Sequence, residues 1–307
     1  MLNKLYKKLD LFYPTRYLMD ILSWLYRLKT IKPINKNNLI NIEGIKEYNI
    51  NYSWFIEDKP LWISWIARLK NWDDFLEKVI ESHIPFLDEI ILIDNQSTDK
   101  TKDICLKLQK KYSNKIKFYE YNFEVIPPSE KSSLDWNSIH SFTYFTNWSI
   151  SKWKYKYIMK IDDDNLFNVK KWMEIRKYIL EKKPNKYITY WWLNVVKKNN
   201  ILGICNDYPY SWKYWDHWIY PVSNKTYYTQ EWEVEKFINP LPYKRYWFSF
   251  FHLKFLKKNY WITNYKHTKI WRKQFKMVEN CKIKKISFFT KDTKFINYLK
   301  KIINDKQ

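Results

Sequence analysis

The strongest constraint on the fold is a regular alternation of strand-like and helix-like segments between residues 61 and 181. Short apolar runs that suit buried strands alternate with longer stretches of helical period. The predicted strands are Leu61–Leu69, Glu89–Ile93, Ile116–Tyr121 and Tyr155–Ile161, and the predicted helices are Asp73–Ser82, Asp99–Tyr112, Ser138–Lys152 and Val169–Glu181. This alternation is typical of an α/β fold in which helices flank a mainly parallel sheet. Such sheets bind their ligands beyond the carboxyl ends of the strands.

Residues 1–57 form a basic N-terminal extension that precedes this pattern. Within it, Lys4–Lys32 has the apolar spacing of an amphipathic helix, broken at Pro14, and Asn35–Asn41 is a polar linker. Two interpretations stay open: the helix docks on the rest of the chain, which we slightly favour, or it lies on an anionic membrane surface.

The remainder of the chain divides into a main domain and a tail. The predicted main domain spans residues 58–280, and its second half is β-rich up to about residue 250, with a short helix over Phe251–Lys258. Residues 281–307 form a basic tail with a terminal helix over Asp292–Asn304.

The composition is that of a globular protein. Of the 307 residues, 46% are hydrophobic and 28% charged, which excludes a mainly disordered or collagen-like chain. No apolar run approaches the length of a membrane span, and no apolar core of a secretory signal follows the basic start Met1–Asp10. Cys105, Cys205 and Cys281 are too widely spaced for a disulfide framework or a zinc cluster. We therefore expect a protein of the reducing cytoplasm.

The net charge of +23 indicates an affinity for anions. Nucleic acid, an anionic membrane surface and phosphorylated substrates would all attract such a chain. Lysine supplies most of this charge, whereas arginine dominates specific contacts with base edges and phosphates. The excess of lysine over arginine therefore argues against sequence-specific DNA binding. A bias toward AT-rich codons, which encode lysine, explains part of the positive charge.

Glycine and tryptophan are used in an unusual ratio. The chain has 2 Gly and 18 Trp, whereas ordinary usage predicts roughly 20 glycines. Trp72, Trp153 and Trp261 stand at turns or helix ends, where a chain often needs glycine and where a positive φ would strain tryptophan. We hypothesise that a codon read as glycine in the native organism, UGA, is translated here as tryptophan. The alternative is a truly tryptophan-rich protein with an aromatic binding surface, and eighteen UGG codons in the coding DNA would refute the hypothesis.

An apolar strand runs directly into three carboxylates, Asp162, Asp163 and Asp164. In an extended chain, Asp162 and Asp164 point to the same side. Two carboxylates on one side suit Mg²⁺ or Mn²⁺, which prefer oxygen ligands and often share them with substrate phosphates. Taken alone, the triplet could also be a solvated acidic turn.

A second polar loop follows the predicted strand that ends at Ile93. It reads Asp94-Asn95-Gln96-Ser97-Thr98-Asp99 and leads into a helix, a junction that suits a nucleotide. A third feature, Ala67-Arg68, lies at the end of the first strand and is weak evidence by itself.

In order and spacing, these three features resemble glycosyltransferase family 2 and its GT-A nucleotide-sugar-binding fold. The resemblance covers about residues 60–260. It implies that Ala67, Arg68, Asp94, Asn95, Ser97, Asp99 and Asp163 contact the donor nucleotide, and that Asp162 and Asp164, as the Asp-x-Asp motif, bind Mn²⁺ or Mg²⁺. It further implies His252 as a third metal ligand, because some GT-A enzymes use a histidine late in the domain.

The activity that this resemblance implies is transfer of a sugar from a nucleotide-diphosphate donor to an acceptor hydroxyl, with inversion of the anomeric configuration. The acceptor would be a glycan or a lipid-linked saccharide in cell-surface polysaccharide biosynthesis. A carboxylate past residue 200 would act as general base. The candidates are Asp216, Glu231 and Glu233, because each lies in the acceptor half, past residue 200.

Two alternatives stay open at this point. A nucleotidyltransferase could bind nucleotides through similar carboxylates on a similar fold. A basic, aromatic-rich protein could instead bind single-stranded nucleic acid by stacking, without catalysis. The acidic triplet and the scarcity of arginine argue against nucleic acid as the partner.

Overall fold

The computed structural model describes residues 13–126, 134–160, 162, 164–199, 201–205, 218–231, 234–257 and 281–304. Six helices lie within these residues: α1 (Tyr13–Thr30), α2 (Leu76–His83), α3 (Thr101–Lys111), α4 (Phe142–Ile150), α5 (Val169–Lys182) and α6 (Thr293–Asn304). Twelve strands accompany them: β1 (Ile63–Leu69), β2 (Glu89–Asp94), β3 (Ile116–Glu120), β4 (Tyr157–Lys160), β5 (Asn165–Phe167), β6 (Tyr187–Lys198), β7 (Ile201–Cys205), β8 (Trp218–Pro221), β9 (Tyr227–Glu231), β10 (Val234–Ile238), β11 (Tyr243–His252) and β12 (Ile283–Lys284).

The predicted α/β fold is confirmed. Each of the eight segments predicted between residues 61 and 181 has its strand or helix in the structure, with ends that shift by a few residues. β3, β2, β1 and β4 lie side by side in this order and are parallel. The sheet continues beyond β4 through β8, β6 and β7, which pair antiparallel, while β9 and β10 form a separate hairpin.

The helix predicted over Phe251–Lys258 is wrong. Residues up to His252 belong to β11, and only a short 3-10 turn over Lys254–Leu256 follows. β11 lies between β6, to which it is parallel, and β5, to which it is antiparallel. A short apolar run that is buried on all sides has no distinguishing period, so the sequence pattern cannot separate helix from strand here.

Two hydrophobic cores lie on opposite faces of the sheet. Alternate residues of β1 divide between them: Trp65 and Ala67 belong to the first core, and Ile66 belongs to the second. The first core also contains residues of α2, α3, α5 and α6, and the second contains residues of α4. Leu39 and Phe55, which precede the sheet in sequence, are buried in the second core, so this part of the extension packs against the sheet.

Helix α1 carries Pro14 in its first turn, where a missing N–H costs no hydrogen bond. Its apolar side chains Leu22, Leu25, Tyr26 and Leu28 are exposed to solvent by 43–69%. No helix in the described ranges has the length and apolar character that crossing a bilayer requires.

The backbone at two of the suspect tryptophans is unstrained. Neither Trp72 nor Trp153 has a positive φ, so the strain expected there is absent, and the positive φ of 57° next to Trp72 belongs to Asn71. Trp261 lies outside the described residues.

The indole N–H groups of four buried tryptophans in the described ranges nevertheless lack hydrogen-bond partners. A buried tryptophan N–H usually finds a hydrogen-bond acceptor. Within the described part of the chain, four buried indole nitrogens have no such partner: those of Trp24, Trp148, Trp153 and Trp172. Trp24, Trp148 and Trp172 lie inside α1, α4 and α5, where glycine is unfavourable, so their unpaired donors do not support glycine as the native residue.

Candidate active site

The order of the parallel strands places a crevice beside β1. The chain passes from β1 outward to β2 and β3, and then returns to the other side of β1 as β4. The loops after β1 and β4 therefore lead in opposite directions at the carboxyl edge of the sheet. This is the topological switch point at which open α/β sheets bind their ligands. The predicted site residues follow β1, β2 and β4, and so lie along this edge.

Asp94 ends β2 and is buried. One of its carboxylate oxygens, Oδ2, accepts a hydrogen bond from the N–H of Ser97 at 3.2 Å. The other oxygen, Oδ1, is buried and has no hydrogen-bond partner among the described residues. Leaving a buried acceptor unsatisfied is costly, so this oxygen suits an N–H or O–H donor of a ligand.

Asn95 lies next to Asp94 and is also buried. Its side-chain amide donates to the carbonyl oxygens of Tyr121, at 3.0 Å, and Phe123, at 2.7 Å. Asn95 therefore ties the loop after β2 to the segment after β3. This contact supports the position of Asp94 and uses both donors of the Asn95 side chain.

The side chains of Ser97 and Asp99 hold the loop after β1. Ser97 Oγ accepts from the N–H of Asn71 at 2.9 Å, and Asp99 Oδ2 accepts from the N–H of Asp73 at 3.2 Å. The other oxygen of Asp99 accepts from the N–H of Thr101 at 2.9 Å, at the start of α3. These two predicted donor-binding residues thus connect two loops of the site through side chain-to-main chain bonds.

Ala67 and Arg68 point to opposite faces of β1. Ala67 is fully buried in the first core. Arg68 lies on the other face, where its Nη1 is 3.3 Å from Oε1 of Glu235 and also bonds the hydroxyl of Thr146. Lys160 Nζ approaches the second oxygen of Glu235 at 3.6 Å. Glu235 thereby balances the positive charges of Arg68 and Lys160 near the ends of β1 and β4. The sequence analysis did not identify this residue.

The acidic triplet is placed by the end of β4. Asp164 is buried, Asp162 is half-buried, and Asp163 lies outside the described residues. The carbonyl oxygen of Asp164 accepts from the N–H of Leu253 at 2.8 Å, which joins the triplet to the end of β11.

His252, at the end of β11, faces the carboxylate of Asp164. Its Nε2 lies 3.2 Å from Oδ1 of Asp164. The opposite ring nitrogen, Nδ1, lies 3.0 Å from Oδ1 of Asn194 on β6. When Nδ1–H donates to this amide oxygen, the ring is fixed with Nε2 toward Asp164, an arrangement common among histidines that bind metals. The structure thus brings together two of the three residues predicted as metal ligands.

Lys257 completes the surroundings of Asp164. Its Nζ lies 3.0 Å from Oδ2 of Asp164, and both side chains are almost fully buried. Burial alone would raise the pKa of Asp164, but the charges of Lys257 and His252 outweigh it and hold that pKa well below its ordinary value. Asp164 is therefore a carboxylate at neutral pH.

These residues fit a divalent cation in the chemistry of their donors. A carboxylate oxygen of Asp164 and an imidazole nitrogen of His252 converge in a buried place, with Asp162 two residues away along the chain. Over the ranges that the structure covers, no group of three or more His, Cys, Asp or Glu side chains is positioned to hold a metal ion. The ammonium of Lys257 contacts the same carboxylate and does not suit a cation beside it, so it would have to leave Oδ2.

The predicted base candidates are placed only in part. Asp216 and Glu233 lie outside the described residues. Glu231 ends β9, is exposed, and pairs with Lys236 across the β9–β10 hairpin at 2.5 Å. No described contact joins Glu231 to the carboxylates of the sheet edge.

Part of the chain is similar to a known protein family. Residues 68–200 match the family model described as glycosyl transferase family 2. This stretch, which is less than half of the chain, is similar to glycosyl transferase family 2 domains. It includes β1 from Arg68 onward, the Asp94 loop and the acidic triplet, so the resemblance predicted from the sequence is confirmed over this stretch.

Solved structures similar to this chain include two named proteins. TarS 1-349 of S. aureus is 12% identical with a TM-score of 0.40, and the match covers 70% of this chain and 69% of that one. Glucosyl-3-phosphoglycerate synthase from Mycobacterium tuberculosis, in complex with Mn²⁺, UDP and glucosyl-3-phosphoglycerate, is 15% identical with a TM-score of 0.31. That match covers 46% of each chain, less than half of the mycobacterial enzyme. No curated protein matches the chain significantly.

Proposed function

We propose that this protein transfers a sugar from a nucleotide-diphosphate sugar to an acceptor hydroxyl, with Mn²⁺ or Mg²⁺ and with inversion. The observation that carries the proposal is a pair of buried carboxylates in a family 2 domain, Asp94 after β2 and Asp164 after β4. One strand, β1, separates β2 from β4, so the two strand ends are about 10 Å apart. That spacing suits a nucleoside at one end and its diphosphate at the other.

The two carboxylates have different roles in this proposal. The free oxygen of Asp94 accepts a hydrogen bond from the nucleoside, and Asn95, Ser97 and Asp99 keep its loop in place. Asp164 and His252, with Asp162, would hold the divalent cation. When bound, such a cation offsets the negative charge that builds up on the departing diphosphate. The contacts of Asp163, Ala67 and Arg68 with the donor stay predictions.

The general base takes the proton of the acceptor hydroxyl as the new glycosidic bond forms. Asp216, Glu231 and Glu233 stay the candidates for this role. Glu231 would first have to separate from Lys236, with which it is paired. Inversion follows if one base activates one acceptor in a single displacement. The division of the chain at residues 57 and 280 also stays a prediction.

The acceptor proposed is a glycan or a lipid-linked saccharide at the cytoplasmic face of a membrane. Two features support this location: the net charge of +23, and helix α1, which exposes Leu22, Leu25 and Leu28 next to the basic residues of its last turn. Apolar and basic residues on one helix suit an anionic lipid surface. Sedimentation with vesicles of phosphatidylglycerol, against neutral phosphatidylcholine vesicles, tests it, and equal binding to both would contradict an electrostatic attachment.

The activity is tested with a panel of UDP-, GDP-, dTDP- and CDP-sugars in the presence of Mn²⁺. We expect metal-dependent release of one nucleoside diphosphate, with Asp94→Asn weakening donor binding and Asp162→Asn weakening the metal dependence. Asp103→Asn is the matched control, because Asp103 is an exposed carboxylate on α3. The assay uses both the tryptophan form and a form with glycine at the suspect positions.

The outcomes separate the alternatives. Release of inorganic pyrophosphate from nucleoside triphosphates, without release of nucleoside diphosphate from sugars, would indicate a nucleotidyltransferase. Absence of all donor binding, together with tight and salt-sensitive RNA binding, would overturn the proposal in favour of nucleic-acid binding.

A further inference from the structure

Lys257 is a buried cation in the crevice and has no role in the function proposed above. Its side chain is 7% exposed, and it follows the short turn after β11. Its Nζ is 3.0 Å from Oδ2 of Asp164 and 4.9 Å from the centre of the Trp72 ring. Asp164 follows β4 and Trp72 follows β1, so Lys257 reaches into the place where these two loops diverge.

An ammonium group in this position conflicts with the use proposed for Asp164. A divalent cation needs a lone pair of the same carboxylate that Lys257 contacts. Two cations on one buried carboxylate repel each other, and little water is present to screen them. Lys257 must therefore leave Oδ2 when the metal ion binds, or the metal ion cannot bind tightly.

The displaced ammonium group needs an anion nearby, because an unpaired buried charge is strongly unfavourable. The main chain of Lys257 stays near the turn, since its N–H points to the carbonyl oxygen of Lys254 at 3.4 Å. The side chain is long and flexible enough to turn without moving the main chain. The donor brings a suitable anion to this crevice, because its diphosphate would share the metal ion with Asp164.

We propose that Lys257 is a donor-site residue with two partners: it neutralises Asp164 when the crevice is empty, and it contacts the diphosphate of the donor when the metal ion and the donor are bound. The proposal rests on the function proposed above. In this proposal, the metal ion and the Lys257 ammonium group compete for the carboxylate of Asp164. When the donor binds, its diphosphate pairs with the displaced ammonium group, so both cations then have an anionic partner.

The test is the Lys257→Met variant, which keeps the unbranched shape of the side chain up to Cε and removes its charge. Binding of Mn²⁺ alone is measured by electron paramagnetic resonance. Binding of UDP and of GDP at saturating Mn²⁺ is measured by calorimetry. We expect Mn²⁺ alone to bind about tenfold more tightly to Lys257→Met, and the nucleoside diphosphate to bind about tenfold to a hundredfold more weakly. Lys257→Arg, which keeps the charge, should retain most of the affinity for the diphosphate.

Lys107→Met is the control, because Lys107 forms an ion pair with Glu77 at the surface between α2 and α3. It should change neither affinity. Parallel losses of both affinities in Lys257→Met would show a purely structural lysine, and unchanged affinities would show that Lys257 touches neither ligand. Either result overturns the assignment of Lys257 while leaving the proposed function intact. If wild type binds no nucleoside diphosphate with Mn²⁺, the proposed function fails as well.

Discussion

The ion pair between Asp164 and Lys257 can be tested by removing its charges one at a time. Asp164→Asn keeps the shape of the side chain but leaves the Lys257 ammonium group buried without its carboxylate. At the observed 3.0 Å, the attraction between the charges is about 5 kcal/mol for an effective dielectric constant of about 20. Because the two side chains are only 4% and 7% exposed, water screens this attraction weakly. We expect Asp164→Asn to lower the free energy of unfolding by about 3–5 kcal/mol.

The double variant Asp164→Asn/Lys257→Met removes both charges. Its loss in free energy of unfolding should be far smaller than the sum of the losses of the two single variants. The measurement is urea denaturation of the wild type, both single variants and the double variant at pH 7 and fixed salt. The non-additivity should be about 2–4 kcal/mol. As a control, the exposed pair Lys107–Glu77 should give only about 0.2–1 kcal/mol in the same cycle. Additivity within about 0.5 kcal/mol at Asp164 and Lys257 would refute the reasoning, because residues that do not interact behave in this way.

Three further predictions concern other parts of the chain. Burial lowers the pKa of His83 to about 4. Above pH 6.5, this shift contributes roughly 3 kcal/mol to the free energy of unfolding, because the buried imidazole is neutral in both the folded and the unfolded state. This contribution should be lost as the pH falls from 6.5 to 4 and folding opposes protonation of His83. Denaturation at several pH values should show that His83→Leu loses this part of the pH dependence, and an unchanged profile would contradict the burial effect. Gly203→Ala should lower the free energy of unfolding by about 1–3 kcal/mol, because a Cβ there would lie 2.7 Å from the carbonyl oxygen of Lys284 on the adjacent β12. An unchanged melting temperature of this variant would refute the predicted clash. Glu235→Gln leaves the guanidinium of Arg68 without its buried carboxylate and should cost about 3 kcal/mol in urea denaturation, whereas a loss below about 1 kcal/mol would mean that the pair is solvated.

The parallel part of the fold could be predicted because its residues have clear periods. Strands such as Glu89–Asp94 contain a continuous apolar run, here Ile90–Ile93, and helices such as Val169–Lys182 repeat their apolar residues at helical spacing. The same reasoning failed at β11, where the aromatic run Phe250-Phe251 is buried between two strands and has no period to distinguish it from a helix. Its neighbours, which come from distant parts of the chain, determine its conformation.

The candidate site could be predicted where a residue follows directly from a strand. Asp94 and Asp164 stand immediately beyond apolar strands, so the sheet itself brings them to one edge. Lys257 and Glu235 carry no such signal, because one lysine in a lysine-rich chain and one glutamate in a short hairpin look like surface charges. Only the tertiary structure shows that each is buried against a charged partner.

The packing of the last helix has a consequence for how the site forms during synthesis. Phe295 of α6 stacks on Phe251 of β11, with ring centres 4.6 Å apart, and Phe251 is the neighbour of His252. Helix α6 leaves the ribosome only after about 40 further residues have been made, and domains take shape as their chain emerges. The Asp94 half of the crevice can therefore assemble early. β11, which carries His252, is packed against α6 only after that helix has been synthesised. If the proposed function holds, the nascent chain would be able to hold the nucleoside before it can hold the diphosphate.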